Sequence, residues 1–178
     1  MKTNIKIRKE QLTQDEQKVL IALQKNSKNT ISSIAKDCGV SRQKVKRIIT
    51  LLEEDQVIWG YTAITDEKKQ GQLKYVLLIK RSMNKIEKKT AEKIAFLQYD
   101  EEYTRQGITI ESSYYIHGEY DWMILFTAQN LRDAKKFSTM LIENYPNIII
   151  KVNLMQILYS QRSHHIISPS PQSLFDFL

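Results

Sequence analysis

Cysteine is all but missing from this sequence: Cys38 stands alone among 178 residues. No intramolecular disulfide can form, and a metal site made of several thiolates is excluded. Histidine is nearly as scarce, at three residues with His164 and His165 adjacent, so no histidine-built metal site is expected. No window approaches the roughly 18 uninterrupted apolar residues of a membrane span, and the opening MKTNIKIRKE holds no apolar signal core. A cytoplasmic protein with no membrane partner is the expectation. Also missing are a nucleophile paired with a base, a glycine-rich phosphate cradle and a paired-carboxylate motif. Hydrolase and nucleotide-binding readings therefore have no support; no cofactor is expected, and the chain does not read as an enzyme.

Acid is what the first third lacks. Residues 1–52 carry 12 Lys/Arg against four Asp/Glu, whereas residues 53–178 carry 15 against 16. The whole excess of +7 therefore comes from the first module. Non-specific stickiness would spread that charge; one nucleic-acid-binding module would concentrate it. A 42% hydrophobic content with two Trp and nine Tyr is enough to bury a core, which excludes disorder throughout.

Residues 31–48, ISSIAKDCGVSRQKVKRI, read as two short helices joined by a tight turn. Ile34, Ala35, Val40, Val45 and Ile48 take the apolar or small positions of a helix-turn-helix, with Ala35 where the helices cross closest. Gly39 sits where the turn requires a positive φ. Ser41 follows as a cap for the next helix, accepting a hydrogen bond from a free backbone N–H. Cys38 lies on the buried side and reads as a small, inert core residue. Outward on the last helix come Arg42, Gln43, Lys44, Lys46 and Arg47, with no acid until Glu53. Ahead of the pair, Thr13 with Gln14, Asp15 and Glu16 opens a first helix whose apolar run is Val19, Leu20, Ala22 and Leu23. Residues 1–10 read as a short basic arm.

Residues 57–65, VIWGYTAIT, are rich in β-branched and aromatic side chains and read as a strand. A charged linker at 66–72 marks the domain boundary. The pattern then predicts a strand over 73–81, a helix over 85–100, a strand over 108–117, a turn at 118–121, its hairpin partner over 122–127, a helix capped by Asn130 and running to about 143, and a last strand over 148–159. The fold class is therefore α+β: an N-terminal winged-type helix-turn-helix domain (1–66), joined by a linker strand to a C-terminal ferredoxin-like βαββαβ domain (73–160). Apolar residues on both faces of 75–79 and of 153–159 call for a second subunit, at least a homodimer. Residues 161–178 read as a loose linker ending in the apolar tip SLFDFL.

The pieces LTQDEQKVLIAL, IAKDCGVSRQKVKRIITLLEEDQVIWGYTA and YYIHGEYDW resemble, in that order, the Lrp/AsnC (feast/famine) family of bacterial and archaeal regulators, over about residues 11–160. Val40-Ser41, Leu52-Glu53, Val57-Ile58-Trp59-Gly60-Tyr61 and Gly118-Glu119-Tyr120-Asp121 fill slots typical of that family. The resemblance implies dimers paired through their sheets, often assembled into tetramers or octamers, with an amino-acid effector held near the glycine-x-aromatic-aspartate turn. It places Gly118, Tyr120 and Asp121 at that site, with Asp121 opposite an α-amino group and backbone N–H groups near Gly118 opposite a carboxylate. Where relatives often carry threonines, this chain has His117 before the turn and Lys151 and Asn153 on the last strand. A lysine there favours an extra negative charge on the ligand, or fills the site itself.

The mechanism expected is entry of the third helix into the major groove of double-stranded DNA, with its N-terminal residues nearest the bases. Arg42 and Gln43 are the candidates for base contacts, since arginine bridges guanine O6/N7 and glutamine the adenine N6/N7 edge. Ser41, Lys44, Lys46 and Arg47, with Ser32 and Ser33 of the second helix, are candidates for phosphates. Two other readings remain open at this point. One is a sirohaem-decarboxylase-like enzyme using Arg105, His117 and Lys151 on carboxylates; the other is an architectural protein that coats DNA.

Overall fold

The structure, a computed structural model, describes residues 11–178. The basic arm expected over residues 1–10 lies outside the described residues. The chain divides into two compact units: one holds the described residues up to Ile64 with Gln161–Pro171, the other Thr65–Ser160 with Gln172–Leu178.

Three helices build the first unit: α1 (Gln14–Lys25), α2 (Ile31–Cys38) and α3 (Arg42–Glu54). Each begins where a hydroxyl satisfies a free N–H. Thr13 and Glu16 form a reciprocal capping box on α1, Thr30 accepts from the Ser33 N–H, and Ser41 accepts from the Lys44 N–H. Val19, Leu23, Ile34, Ala35, Cys38, Val45, Ile48 and Leu52 form one apolar core. Burial there pushes the Cys38 thiol pKa up, which keeps it protonated and unreactive. Gly39 ends α2 in the left-handed region at φ 69°, its N–H donating to Ala35 and Lys36 carbonyls. A β-carbon there would meet nothing within 4 Å, so the cost of Gly39→Ala is conformational alone. We expect the variant to lose about 1 kcal/mol, read as a lower melting temperature of the helical signal.

Residues 57–65 depart from expectation. They pair with no strand, so neither the linker strand nor a wing is present among the described residues. The N–H groups of Val57 and Ile58 instead donate to the Leu52 carbonyl at the end of α3. Tyr61 donates its hydroxyl to Glu53 (2.9 Å), and Trp59 is 94% exposed. Side chains that favour extended backbone do not supply the neighbour a strand must bond to.

The second unit is a four-stranded antiparallel sheet in the order β2-β3-β1-β4, from β1 (Leu73–Arg81), β2 (Thr109–Tyr115), β3 (Trp122–Ala128) and β4 (Ile149–Gln156). One face carries Tyr75, Leu77, Ile79, Ile124 and Phe126, packed on Tyr103, Ala134, Phe137 and Leu141 of the helices. The last three belong to α6 (Leu131–Asn144), capped by Asn130 as its sequence predicts. The single helix expected over 85–100 is instead two, α4 (Lys88–Ala95) and α5 (Asp100–Arg105). Leu97 between them adopts φ 50°, which breaks the period that Ile86, Thr90 and Ile94 set up. The break lets Tyr103 of α5 reach the core, edge-on to Phe137 at 4.9 Å between ring centroids.

Alternation sends Lys74, Val76, Leu78 and Lys80 of β1 to the face without helices. Val76 and Leu78 are only half-buried, and Met123, Leu125 and Met155 lie beside them by register. Lys74 is buried there at 9% exposure, its ammonium held by Glu111 (3.1 Å) and by Glu67. Burial opposes the charge, but the hydrogen bonds to the two carboxylates outweigh it and raise the lysine pKa.

The tail is more ordered than a loose linker. A small hairpin pairs β5 (Arg162–Ser163) with β6 (Ile166–Ile167), and a 3-10 helix runs over Pro171–Phe177. Phe177 lies 5.4 Å beneath the Lys68 ammonium, while Phe175 and Leu178 of the tip face solvent.

Candidate DNA interface and effector site

Burial of Val45, Ile48 and Leu52 fixes the rotation of α3. Arg42, Gln43, Lys46 and Arg47 are thereby turned outward and exposed, together with Ser41 at the cap. The Ser41 oxygen already accepts from the Lys44 N–H at 3.2 Å, which leaves its hydroxyl proton for an outside acceptor. The N–H groups of the first turn of α3 that have no intrahelical acceptor add a positive end to the same surface. On α2, Ser32 is exposed; Ser33 is half-buried and gives its N–H to Thr30 (3.1 Å). Lys44 stands apart from the other cations. Its ammonium is 2.5 Å from the Asp15 carboxylate in the first turn of α1, and both side chains are partly covered. That hydrogen bond holds the Asp15 pKa below the ordinary aspartate range.

The residues expected near an effector gather at one end of the sheet. Gly118, with φ 151°, opens the turn between β2 and β3 in a conformation that favours glycine. Tyr120 is the meeting point: its hydroxyl lies 3.5 Å from Asn153 Nδ2, and the Lys151 ammonium lies 5.6 Å from its ring centroid. Lys151 is also within 3.9 Å of Glu119. Asp121 is already engaged, accepting from the Arg81 N–H (2.9 Å) and facing the Lys80 ammonium (3.3 Å). Arg81 in turn donates to the Tyr115 hydroxyl at 3.0 Å. His117 is exposed at the start of the turn. The carboxylate-binding trio of an enzyme does not converge: Arg105 pairs with Glu101 on α5 in the helix layer, whereas Lys151 faces Lys80 across the open side of the sheet.

Comparison with known proteins follows the same division. A family described as winged helix-turn-helix DNA-binding matches residues 16–58. The fold is that of an AsnC family transcriptional regulator from Agrobacterium tumefaciens, with TM-score 0.63 and 20% identity over 88% of this chain and 97% of that one. It is also that of a Neisseria meningitidis transcriptional regulator determined as an L-Met complex, with TM-score 0.64 and 16% identity over 92% and 99% of the two chains. In sequence, the chain is 30% identical over 128 residues to the uncharacterized HTH-type transcriptional regulator YugG of Bacillus subtilis, spanning 71% of this chain and 73% of that protein. The chain belongs to the Lrp/AsnC family of transcriptional regulators.

This Lrp/AsnC regulator is thus a DNA-binding protein whose helix-turn-helix lies in the first unit. Among its described residues no helix is long and apolar enough to cross a membrane. Sequence reading missed Asp15, Lys80, Arg81 and Glu119. Lys80 and Arg81 were within reach, since they end the strand paired with 149–156 and register sets Lys80 opposite Lys151. Asp15 carried no signal, because its partner lies 29 residues away.

Asp121 gives a test by acid. The Arg81 N–H, and then Lys80, hold its pKa below the ordinary 3.8. A group with a lowered folded pKa stabilises fully above its unfolded value and loses that contribution as pH falls through the folded one. Asp121→Asn should therefore remove part of the acid sensitivity of the second unit below about pH 4, followed by circular dichroism. Identical acid transitions in both proteins would show that this carboxylate does not secure the turn.

Proposed function

We propose that this regulator binds operator DNA sequence-specifically as a homodimer or higher assembly, under the control of an amino-acid-like effector. The observation that carries the reading is the outward, acid-free set Arg42, Gln43, Lys46 and Arg47 at the capped N-terminal half of α3. Arg42 and Gln43 read base edges, while Ser41, Lys46, Arg47, Ser32 and Ser33 hold phosphates. Residues 1–66 serve as the DNA-binding domain, 73–160 as the sensing and oligomerisation domain, and 161–178 as its tail. A second copy is supported by the half-buried apolar stripe of Val76, Leu78, Met123 and Leu125, and by the unpaired segment 57–65. Symmetric dimers imply pseudo-palindromic sites with half-sites about one helical turn, 10–10.5 bp, apart. Work on the chromosome places the protein in the cytoplasm.

For the effector, Tyr120, Asn153 and Lys151 around Gly118 offer a ring face, an amide and a cation. The L-Met bound by the Neisseria relative supports an amino acid as the class. Lys151 favours a ligand with a second carboxylate, and Asp121 holds the turn in place. The deciding experiment is selection of bound sequences from random duplex DNA at two salt concentrations, with and without an amino-acid panel. An enriched palindromic motif whose yield responds to one amino acid is the expected result; no motif under any condition overturns sequence-specific regulation. In the same format Lys46→Ala should weaken all sequences alike and reduce the salt slope by about one phosphate, or 0.9. A loss confined to particular sequences would instead make Lys46 a base reader.

A further inference from the structure

We propose that Asp15 is a positioning residue that withholds Lys44 from DNA, so that this cation in the first turn of α3 adds nothing to sequence-independent binding. The inference rests on the DNA reading above. Lys44 is the third residue of α3, at the end that enters the groove, where an ammonium would normally meet a phosphate. Its ammonium instead turns back 2.5 Å from the Asp15 carboxylate, and Lys44 is half-buried while Arg42, Gln43, Lys46 and Arg47 stand free to solvent. Ser41, three residues before it, holds the Lys44 N–H as the cap of α3, and Val45 next to it is buried in the core, so the backbone from which Lys44 reaches is fixed.

Asp15 is in turn well anchored. It occupies the first turn of α1, where its charge also complements the helix dipole, next to the Thr13–Glu16 capping box. Lys18, one turn further along α1, adds a weaker attraction to the same carboxylate. The arrangement places an acid beside the recognition helix and cancels it with one of that helix's own cations. Arg42 and Gln43 keep their freedom to read bases. What is reduced is the counterion-release part of affinity, which scales with the number of phosphates neutralised and carries no sequence information.

The test uses the full-length protein and a random-sequence duplex of about 30 bp, with binding read by fluorescence anisotropy across about 50–200 mM salt. Asp15→Asn frees Lys44, so affinity should rise about three- to tenfold and the slope of log K against log salt should steepen by about 0.9, one phosphate. Lys44→Ala alone should leave the salt slope unchanged, because no phosphate contact is lost, while the Asp15 carboxylate left without its partner lowers affinity. Adding Lys44→Ala to Asp15→Asn should abolish the gain. Asp15→Ser serves as a second variant, and thermal melts check that each protein is folded. If the gain survives without Lys44, it comes from net charge and the proposal is wrong. It is equally wrong if Lys44→Ala alone flattens the slope by one phosphate, because the lysine then already sits on DNA. Absence of any wild-type binding would overturn the DNA reading itself, and this inference with it.

Discussion

Replacing Arg42 with alanine should cost about 1–3 kcal/mol at the preferred operator and relax the selected motif at one base pair, while leaving the fold intact. Arg42 is the first residue of α3 and is exposed, so the helix loses neither a core contact nor its cap. Substitutions at such positions usually stay within about 0.5 kcal/mol of wild-type stability. The loss should therefore appear in binding alone. Its signature is discrimination, because a guanidinium bridging guanine O6 and N7 has no equal partner on the other bases. Lys46→Ala is the contrast, lowering every sequence together. A motif that keeps its full preference at every position in the Arg42→Ala protein would remove Arg42 from base reading and pass the role to Gln43.

A larger loss is expected from Phe137→Ala, at about 3–5 kcal/mol of stability in the second unit. Phe137 is fully buried, with its ring 4.7 Å from Phe126 and 4.9 Å from Tyr103 between centroids. Truncation removes the contact by which α6 joins both the sheet and α5, and those rings are too rigid to close the space. Set against a typical total of about 5–15 kcal/mol for a domain, the loss takes a large share. Urea unfolding should show a second-unit transition at lower denaturant, with Phe137→Leu intermediate. If the protein binds DNA as the proposed dimer, affinity should fall as well, since the apolar sheet face proposed for pairing belongs to that unit. An unchanged transition would show that α6 docks through other contacts.

What could be read from sequence was whatever local chemistry decides. Thr13, Thr30, Ser41 and Asn130 each cap a helix, and Gly39 takes the left-handed turn, because each requirement is met by atoms within a few residues. The order of strands and helices in the second unit was legible for a related reason: alternation in β1 and helical spacing in α6 are strong local periods. What failed depended on distant partners. Residues 57–65 have the composition of a strand but no strand neighbour among the described residues. The break at Leu97 is a backbone event that the spacing of Ile86, Thr90 and Ile94 does not register. At the interface, the outward cations of α3 were legible from burial of Val45, Ile48 and Leu52. The tie between Lys44 and Asp15 was not, nor was the engagement of Asp121 by Arg81 and Lys80, because only the fold brings those pairs together.

The ion trio of Lys74, Glu67 and Glu111 bears on how the sheet avoids assembling wrongly. Lys74 precedes Tyr75 on the central strand, and the two side chains point to opposite faces. A one-residue slip of β1 against β3 or β4 would exchange those faces. The ammonium would then be thrust among Phe126 and Phe137, away from both carboxylates, while the Tyr75 ring came out of its stack with Phe126 (5.5 Å). An uncompensated charge in such surroundings is costly enough that the misaligned sheet cannot compete. Val76, Leu77 and Leu78 are near-equivalent hydrophobes that would tolerate either alignment. It is the lone cation ahead of them that makes the correct pairing the one worth forming.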